Sequence, residues 1–220
     1  MNLIDNVRAD IKKDLDENII QKGDFASFLS LSKRYRLDAT TLWSTGLKWE
    51  LTQVEIYNQI TNERLFNFFI NDSSFFHGWL IKHDIEYLVC AEDIFGGQTV
   101  VDLTNVKMAG YSPGEDGFIW TDFHLSPNGK ILATIGCYWA CDSEIKLFDF
   151  SDPMTLPLKE IKRIELLGND EIILRWLDDE TLKMKGVKRE REPVYHEGGG
   201  MTMKTLSEIK MEREININLS

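Results

Sequence analysis

Two thiols separated by three residues, with an imidazole on a neighbouring strand, are the nearest this chain comes to a ready-made chemical site. Cys137-Tyr138-Trp139-Ala140-Cys141 connects two predicted strands, and His124 belongs to the strand before them. Together they offer three soft or borderline zinc ligands, whereas a structural zinc site takes four. The fourth would have to come from His77 or Cys90, each in a different stretch of chain. No metal site and no cofactor are expected on that count. A redox dithiol is not expected either, because no helix N-terminus precedes the pair to lower a thiol pKa. The expectation is that these cysteines pack as small apolar side chains. Three cysteines in all, an odd number, suit reduced thiols better than a disulfide framework.

The same loop carries a second kind of chemistry, recognition. Trp120, Tyr138 and Trp139 cluster around it, and Tyr111-Ser112-Pro113-Gly114-Glu115-Asp116-Gly117 is a turn-rich acidic connection just upstream. Tryptophan and tyrosine dominate the energetic anchors of interfaces, and loops carry binding surfaces. The candidate binding set is therefore Trp120, Asp122, Tyr138 and Trp139, rimmed by Glu115 and Asp116. Its chemistry suits a basic protein, or a sugar. The competing use of these rings is to fill space between sheets; it fits Trp120 better than Trp139, whose loop position favours exposure.

Catalytic patterns are scarce. The chain has no P-loop, no G-x-G-x-x-G, no G-x-S-x-G elbow and no H-E-x-x-H. Gly198-Gly199-Gly200 lacks the strand-to-helix context of a phosphate cradle. Asp178-Asp179-Glu180 reads as a solvated hairpin turn and Glu92-Asp93 as a solvated loop pair. Calcium in a central channel would need several carboxylates, and only Asp122 lies beside an inner-strand position. The expected function is a non-enzymatic protein-interaction domain, such as an immunity or adaptor protein. The competing class is a metal-dependent hydrolase or lyase with its site in a central channel, motivated by His124, Asp122 and the cysteine loop.

Charge narrows the partners. The 220 residues carry a formal net charge of −11, which repels phosphate backbones, so nucleic acid is not expected and a basic protein is. The one dense basic run, Lys183 to Arg191, is tempered by Glu190 and Glu192. No apolar leader comes after Met1, and Leu65–Ile70 is too short to cross a bilayer. A cytoplasmic protein without membrane contact is the expectation.

The elements that must position these residues are of two kinds. From Met1 to about Arg36 the spacing predicts two helices packed on the β domain. Leu3, Val7, Ile11, Leu15 and Ile19 form a stripe with a stop at Gly23; Asp24 caps a second helix carrying Phe25, Phe28, Leu29 and Tyr35. From Thr40 to the end the apolar period is two. Short strands are predicted about Leu47–Ile56, Arg64–Ile70, Gly78–Ile81, Tyr87–Ala91 and Thr99–Leu103. Three more surround Ser126-Pro127-Asn128-Gly129-Lys130 and end at Glu144–Phe150; then come Glu160–Leu166, Glu171–Trp176, Thr181–Val187 and a long terminal strand. Trp79 to Tyr87, Phe123 to Ile131 and Ile164 to Ile172 share one spacing, and Val101-Asp102-Leu103 echoes Phe148-Asp149-Phe150. Units of about 40–45 residues holding four strands mark propeller blades.

On Leu125-Ser126-Pro127-Asn128-Gly129-Lys130-Ile131-Leu132-Ala133 and Ile145-Lys146-Leu147-Phe148-Asp149, the chain resembles the WD-repeat-like β-propeller superfamily. Phe-Asp or Val-Asp stands where that family has Trp-Asp, and no Gly-His precedes the units. The resemblance implies a mainly β fold, a small or incomplete propeller over residues 40–220 that binds through its rim loops. A twisted antiparallel sheet or sandwich with the helices packed on it is the alternative. In a closed ring, the terminal strand would complete the blade begun near Thr40.

Overall fold

A computed structural model describes residues 3–47, 49–114, 117–166, 171–196 and 199–217. Among these residues one helix, α1 (Leu3–Glu17), precedes fifteen strands. The first sheet is β1 (Ile20–Leu29), β2 (Tyr35–Ser44), β3 (Glu50–Asn58) and β4 (Arg64–Ile70). The second is β5 (His77–Lys82), β6 (Ile85–Ala91), β7 (Gln98–Asp102) and β8 (Lys107–Tyr111). The third is β9 (Ile119–Leu125), β10 (Ile131–Cys137), β11 (Glu144–Asp149) and β12 (Glu160–Glu165). The fourth has three strands, β13 (Ile172–Trp176), β14 (Thr181–Tyr195) and β15 (Met201–Asn216). Each sheet is an antiparallel meander of consecutive strands.

The four meanders pack face to face in chain order, as the blades of a propeller do. Leu37, Val54, Ile56 and Phe68 of the first sheet meet Leu88, Cys90 and Val101 of the second. Val89 and Val100 of the second meet Trp120, Phe123 and Phe148 of the third. Ala133, Ile145 and Leu147 of the third meet Ile173, Leu182 and Met184 of the fourth. The middle sheets are thus covered on both faces, and their central strands lose the alternation of a half-exposed strand. Every residue of β6 except Ile85 is buried, and β10 is buried from Ile131 to Gly136. The innermost strands adjoin in turn, β5 against β9 and β9 against β13. With the β1–β2 turn they line an open cavity of about 490 Å³, faced by Leu31, Trp79, Phe123, His124, Arg175 and Trp176.

The hairpin read from Ser126-Pro127-Asn128-Gly129 forms as its chemistry dictates. Gly129 takes φ of 70°, the Gly129 N–H donates to the Ser126 carbonyl at 2.9 Å, and the Asn128 side chain accepts from Lys130 N–H at 2.9 Å.

Several expectations fail. The second helix, from Asp24 to Arg36, is absent: those residues are β1, a turn and the start of β2, with Phe25 opposite Thr40 and Phe28 opposite Leu37. Phe25, Phe28 and Leu29 at helical spacing could not outweigh a full antiparallel partner whose Tyr35, Leu37 and Ala39 already belong to the core. Gly23 accordingly lies within β1, and the helix ends at Glu17, where the Asn18 side chain bonds back to Asp14. The sheet region therefore begins at Ile20. The shared spacing of Ile164 and Ile172 is coincidental, because β12 pairs with β11 while β13 opens the next sheet. Among the described residues β15 pairs with β14 alone along its whole length and does not complete the first sheet, which already has four strands of its own.

The helix lies across the first two sheets. Ile11 packs on Leu42 and Leu51, and Ile4 sits against Gly110 of β8. Between them Arg8 reaches into the second sheet: its Nη2 donates to Glu92 Oε1 at 2.6 Å and Thr99 Oγ1 at 2.9 Å, with the guanidinium over the Phe68 ring. Glu92 is buried, which corrects its reading as a solvated loop acid; burial raises its pKa against the opposing pull of Arg8.

Two substitutions test this account. Arg8→Met strands the buried Glu92 carboxylate, with an expected loss of about 3–5 kcal/mol in urea unfolding at neutral pH. Gly78→Ala places a Cβ 2.7 Å from Phe123 Cβ between the second and third sheets. It should cost about 1–3 kcal/mol by overpacking, whereas Gly200→Ala, which meets nothing within 4 Å, should change stability by less than about 0.5 kcal/mol.

Candidate functional site

Because strand direction alternates in a meander, the β2–β3, β4–β5, β6–β7, β8–β9 and β10–β11 connections gather at one end of the sheets. Direct contacts tie them together. The Trp49 indole N–H donates to Asn71 Oδ1 at 2.9 Å, and Asn71 Nδ2 donates to Asp93 Oδ2 at 2.6 Å. Gly117 N–H donates to the Phe95 carbonyl at 2.7 Å, Phe95 lies 6.2 Å from Trp139 ring to ring, and Phe118 lies 5.7 Å from Tyr138. The loop entering β9 and the Cys137–Cys141 loop thus share one rim.

On that rim Trp139 is 57% exposed. Tyr138 is held from behind: its hydroxyl accepts a hydrogen bond from Lys146 Nζ at 2.7 Å, and the same ammonium sits over both the Tyr138 and Phe118 rings. Lys146 is itself buried and paired with Glu160 at 2.8 Å. Trp120 is 0% exposed and packs against Phe123 and Phe148, so its indole fills the space between the second and third sheets and is out of reach of a partner. Asp122 lies further along β9 and bonds His124: Nε2 donates to Oδ2 at 2.8 Å. Burial raises the Asp122 pKa, but the hydrogen bond and charge of His124, with the Phe123 N–H, outweigh it and the net shift is downward. The expected rim acids Glu115 and Asp116 lie outside the described residues.

The thiol site does not assemble. Cys137 and Cys141 are free, and burial together with the charge of Cys141 pushes the Cys137 pKa up, away from thiolate reactivity. Cys90 is buried between the first and second sheets, and His77 stacks on Phe75 and meets Phe28 edge-on. Among the described residues no three His, Cys, Asp or Glu side chains are grouped to hold a metal ion. The Asp122–His124 pair faces the 490 Å³ cavity through His124, and among the described residues His124 shows no other side-chain hydrogen bond.

The sequence carries little sign of a second feature of the rim. A cavity of about 410 Å³ opens beside the Trp139 loop, lined by Trp49, Glu50, Asn71, Asp72, Ser73, Asp93, Ile94 and Phe95. Three connections from two sheets build it. Trp49 (51% exposed) and Phe95 (46%) supply its aromatic surface. Asp93 Oδ1 accepts from Phe95 N–H at 2.9 Å, and Asp72 Oδ1 accepts from Ser74 N–H at 2.8 Å. The only local signal was Gly96-Gly97 just after Glu92-Asp93; both glycines take positive φ, 95° and 107°, to fold that loop back.

No protein-family model matches the chain. It is 27% identical over 128 residues to an uncharacterised protein of Acanthamoeba polyphaga mimivirus, a match covering 57% of this chain and 51% of that protein. The match thus spans about half the length of that relative. Among solved structures, the dihydro-heme d1 dehydrogenase NirN in complex with DHE superposes with a TM-score of 0.48 at 14% identity, covering 89% of this chain and 39% of that one. Hydrazine synthase of Kuenenia stuttgartiensis gives 0.42 at 11% identity, covering 84% and 64%. The Swd1 β-propeller domain of Myceliophteria thermophila gives 0.39 at 11% identity, covering 81% and 72%. No helix among the described residues is long and apolar enough to cross a membrane.

His124→Ala tests the electrostatics of the inner strand. The depressed Asp122 carboxyl contributes stability at neutral pH that is lost as pH falls through its folded pKa. Without His124 the burial effect dominates, and a carboxyl NMR titration should find the Asp122 pKa moved upward from its wild-type position, with that pH-dependent stability reduced.

Proposed function

We propose that this protein is a non-enzymatic binding module that recognises a basic protein partner through the rim formed by its β2–β3, β6–β7 and β10–β11 connections. The observation that carries the reading is Trp139, exposed in its loop and leaning on Phe95, which is also exposed. An aromatic pair left in water at the end of rigid sheets is what an interface uses as an anchor. The supporting geometry is the scaffold beneath it. Lys146 fixes Tyr138, and the Phe95 carbonyl receives Gly117 N–H, so the anchor is held before any partner arrives. The net charge of −11 and the carboxylates of Glu50, Asp72 and Asp93 beside the ring pair favour a cationic surface. An adaptor or immunity protein acting in the cytoplasm is the concrete form of this reading.

Affinity capture from native lysate with wild type and Trp139→Ala tests it. A stoichiometric basic protein retained by wild type should bind the variant at least about thirty-fold more weakly, the effect of losing a hot spot of about 2 kcal/mol. Its binding should also weaken as salt is raised. Equal retention by both forms would remove the rim from the account.

A further inference from the structure

The cavity between Trp49 and Phe95 has a chemistry more specific than a general interface. Its rim is aromatic and its lining acidic: Glu50, Asp72 and Asp93 stand around one concavity of about 410 Å³, within the size range of ligand pockets. Elsewhere the buried carboxylate of Glu92 pairs with Arg8 and that of Glu171 with Arg213, and Glu160 pairs with Lys146. Here, among the described residues, no ion pair joins any of the three acids. Asp72 is half-buried, and that burial, with the nearby charge of Asp93, raises its pKa. A carboxylate kept in that condition gains most from an arriving positive charge.

The partners already made by these groups leave the right capacity free. Asn71 is spent holding Trp49 and Asp93 in place; Asp93 accepts Phe95 N–H besides the Asn71 amide, and Asp72 accepts Ser74 N–H together with hydrogen bonds from the Ser73 backbone and the Ser74 side chain. An ionised carboxylate has about four acceptor sites, so both retain room for a charged donor. The rings of Trp49 and Phe95 can cover an alkyl stem and attract a cation through their faces.

We propose that this cavity binds the cationic side chain of the basic partner, an arginine or lysine, with its stem against Trp49 and Phe95 and its head at the Asp72 and Asp93 carboxylates. The inference deepens the proposed function and rests on it for the identity of the partner as a protein. The basic side chain supplies specificity, while Trp139 next to Phe95 supplies anchoring area.

The test needs no partner. Titrate the full chain with N-acetyl-arginine amide, N-acetyl-lysine amide and the neutral N-acetyl-norleucine amide, following the Trp49 indole N–H resonance assigned with Trp49→Phe. The arginine or lysine probe should shift that resonance with an affinity of about millimolar, as suits one side chain, and norleucine should not. Asp72→Asn keeps the acceptor for Ser74 N–H and should weaken the cationic probe about tenfold, the loss of one charge-assisted contact. Glu50→Gln, at an exposed position, should weaken it less. Equal shifts by norleucine, no shift by either cationic probe, or an Asp72→Asn variant that binds as wild type with an otherwise unchanged amide spectrum would each overturn the assignment. Such a failure leaves the Trp139 capture result standing. Loss of capture selectivity with intact probe binding would instead fault the proposed function and leave the cavity chemistry in place.

Discussion

Face-to-face apolar packing between successive sheets is the constraint on which everything else in this protein depends. A single antiparallel meander cannot stand in water with both faces apolar, yet β6 and β10 are apolar on both. Burying them requires a sheet on each side, so the second and third sheets need the first and fourth. The close approach of Gly78 to Phe123 shows how little slack that interface leaves. Stacking the meanders in order then places every second connection at the same end, and a recognition surface made of loops becomes geometrically available.

The helix turns that end into a defined surface. Arg8 crosses from α1 to Glu92 at the foot of the β6–β7 loop, the loop that carries Asp93, Ile94 and Phe95. A buried ion pair adds little net stability, but either partner alone is costly, so the pair acts mainly as a register pin for helix and loop. Phe95 in turn touches both the Trp49 cavity and Trp139. One loop therefore couples the packed interior, the acidic cavity and the exposed aromatic anchor.

What was legible in the chain was local. The Ser126–Lys130 turn, the acidic Asp178–Glu180 turn and the two-residue period of the strands each depend on a handful of neighbouring residues, and each appears where its chemistry places it. The helix stripe through Ile11 was legible for the same reason. Phe25, Phe28 and Leu29 misled because their spacing satisfies a helix while their fate is decided by a partner strand, β2, that begins beyond them. For Trp120 the sequence favours filling space between sheets over anchoring a partner, and its burial is decided by the position of Phe148 on another strand.

By itself the sequence determined the class of the protein: mainly β, strongly acidic, rich in strand-and-turn units, with aromatic residues in a loop after β10. Those properties are sums over composition or over windows of a few residues, which the chain carries whatever its tertiary arrangement. Only the tertiary structure decided that Glu92 is buried and Asp93 is not solvated alone, and that Trp49, Asp72 and Phe95 share one cavity. Their positions in the chain lie in three separate connections, and nothing but the packing of two sheets against each other brings those connections within reach.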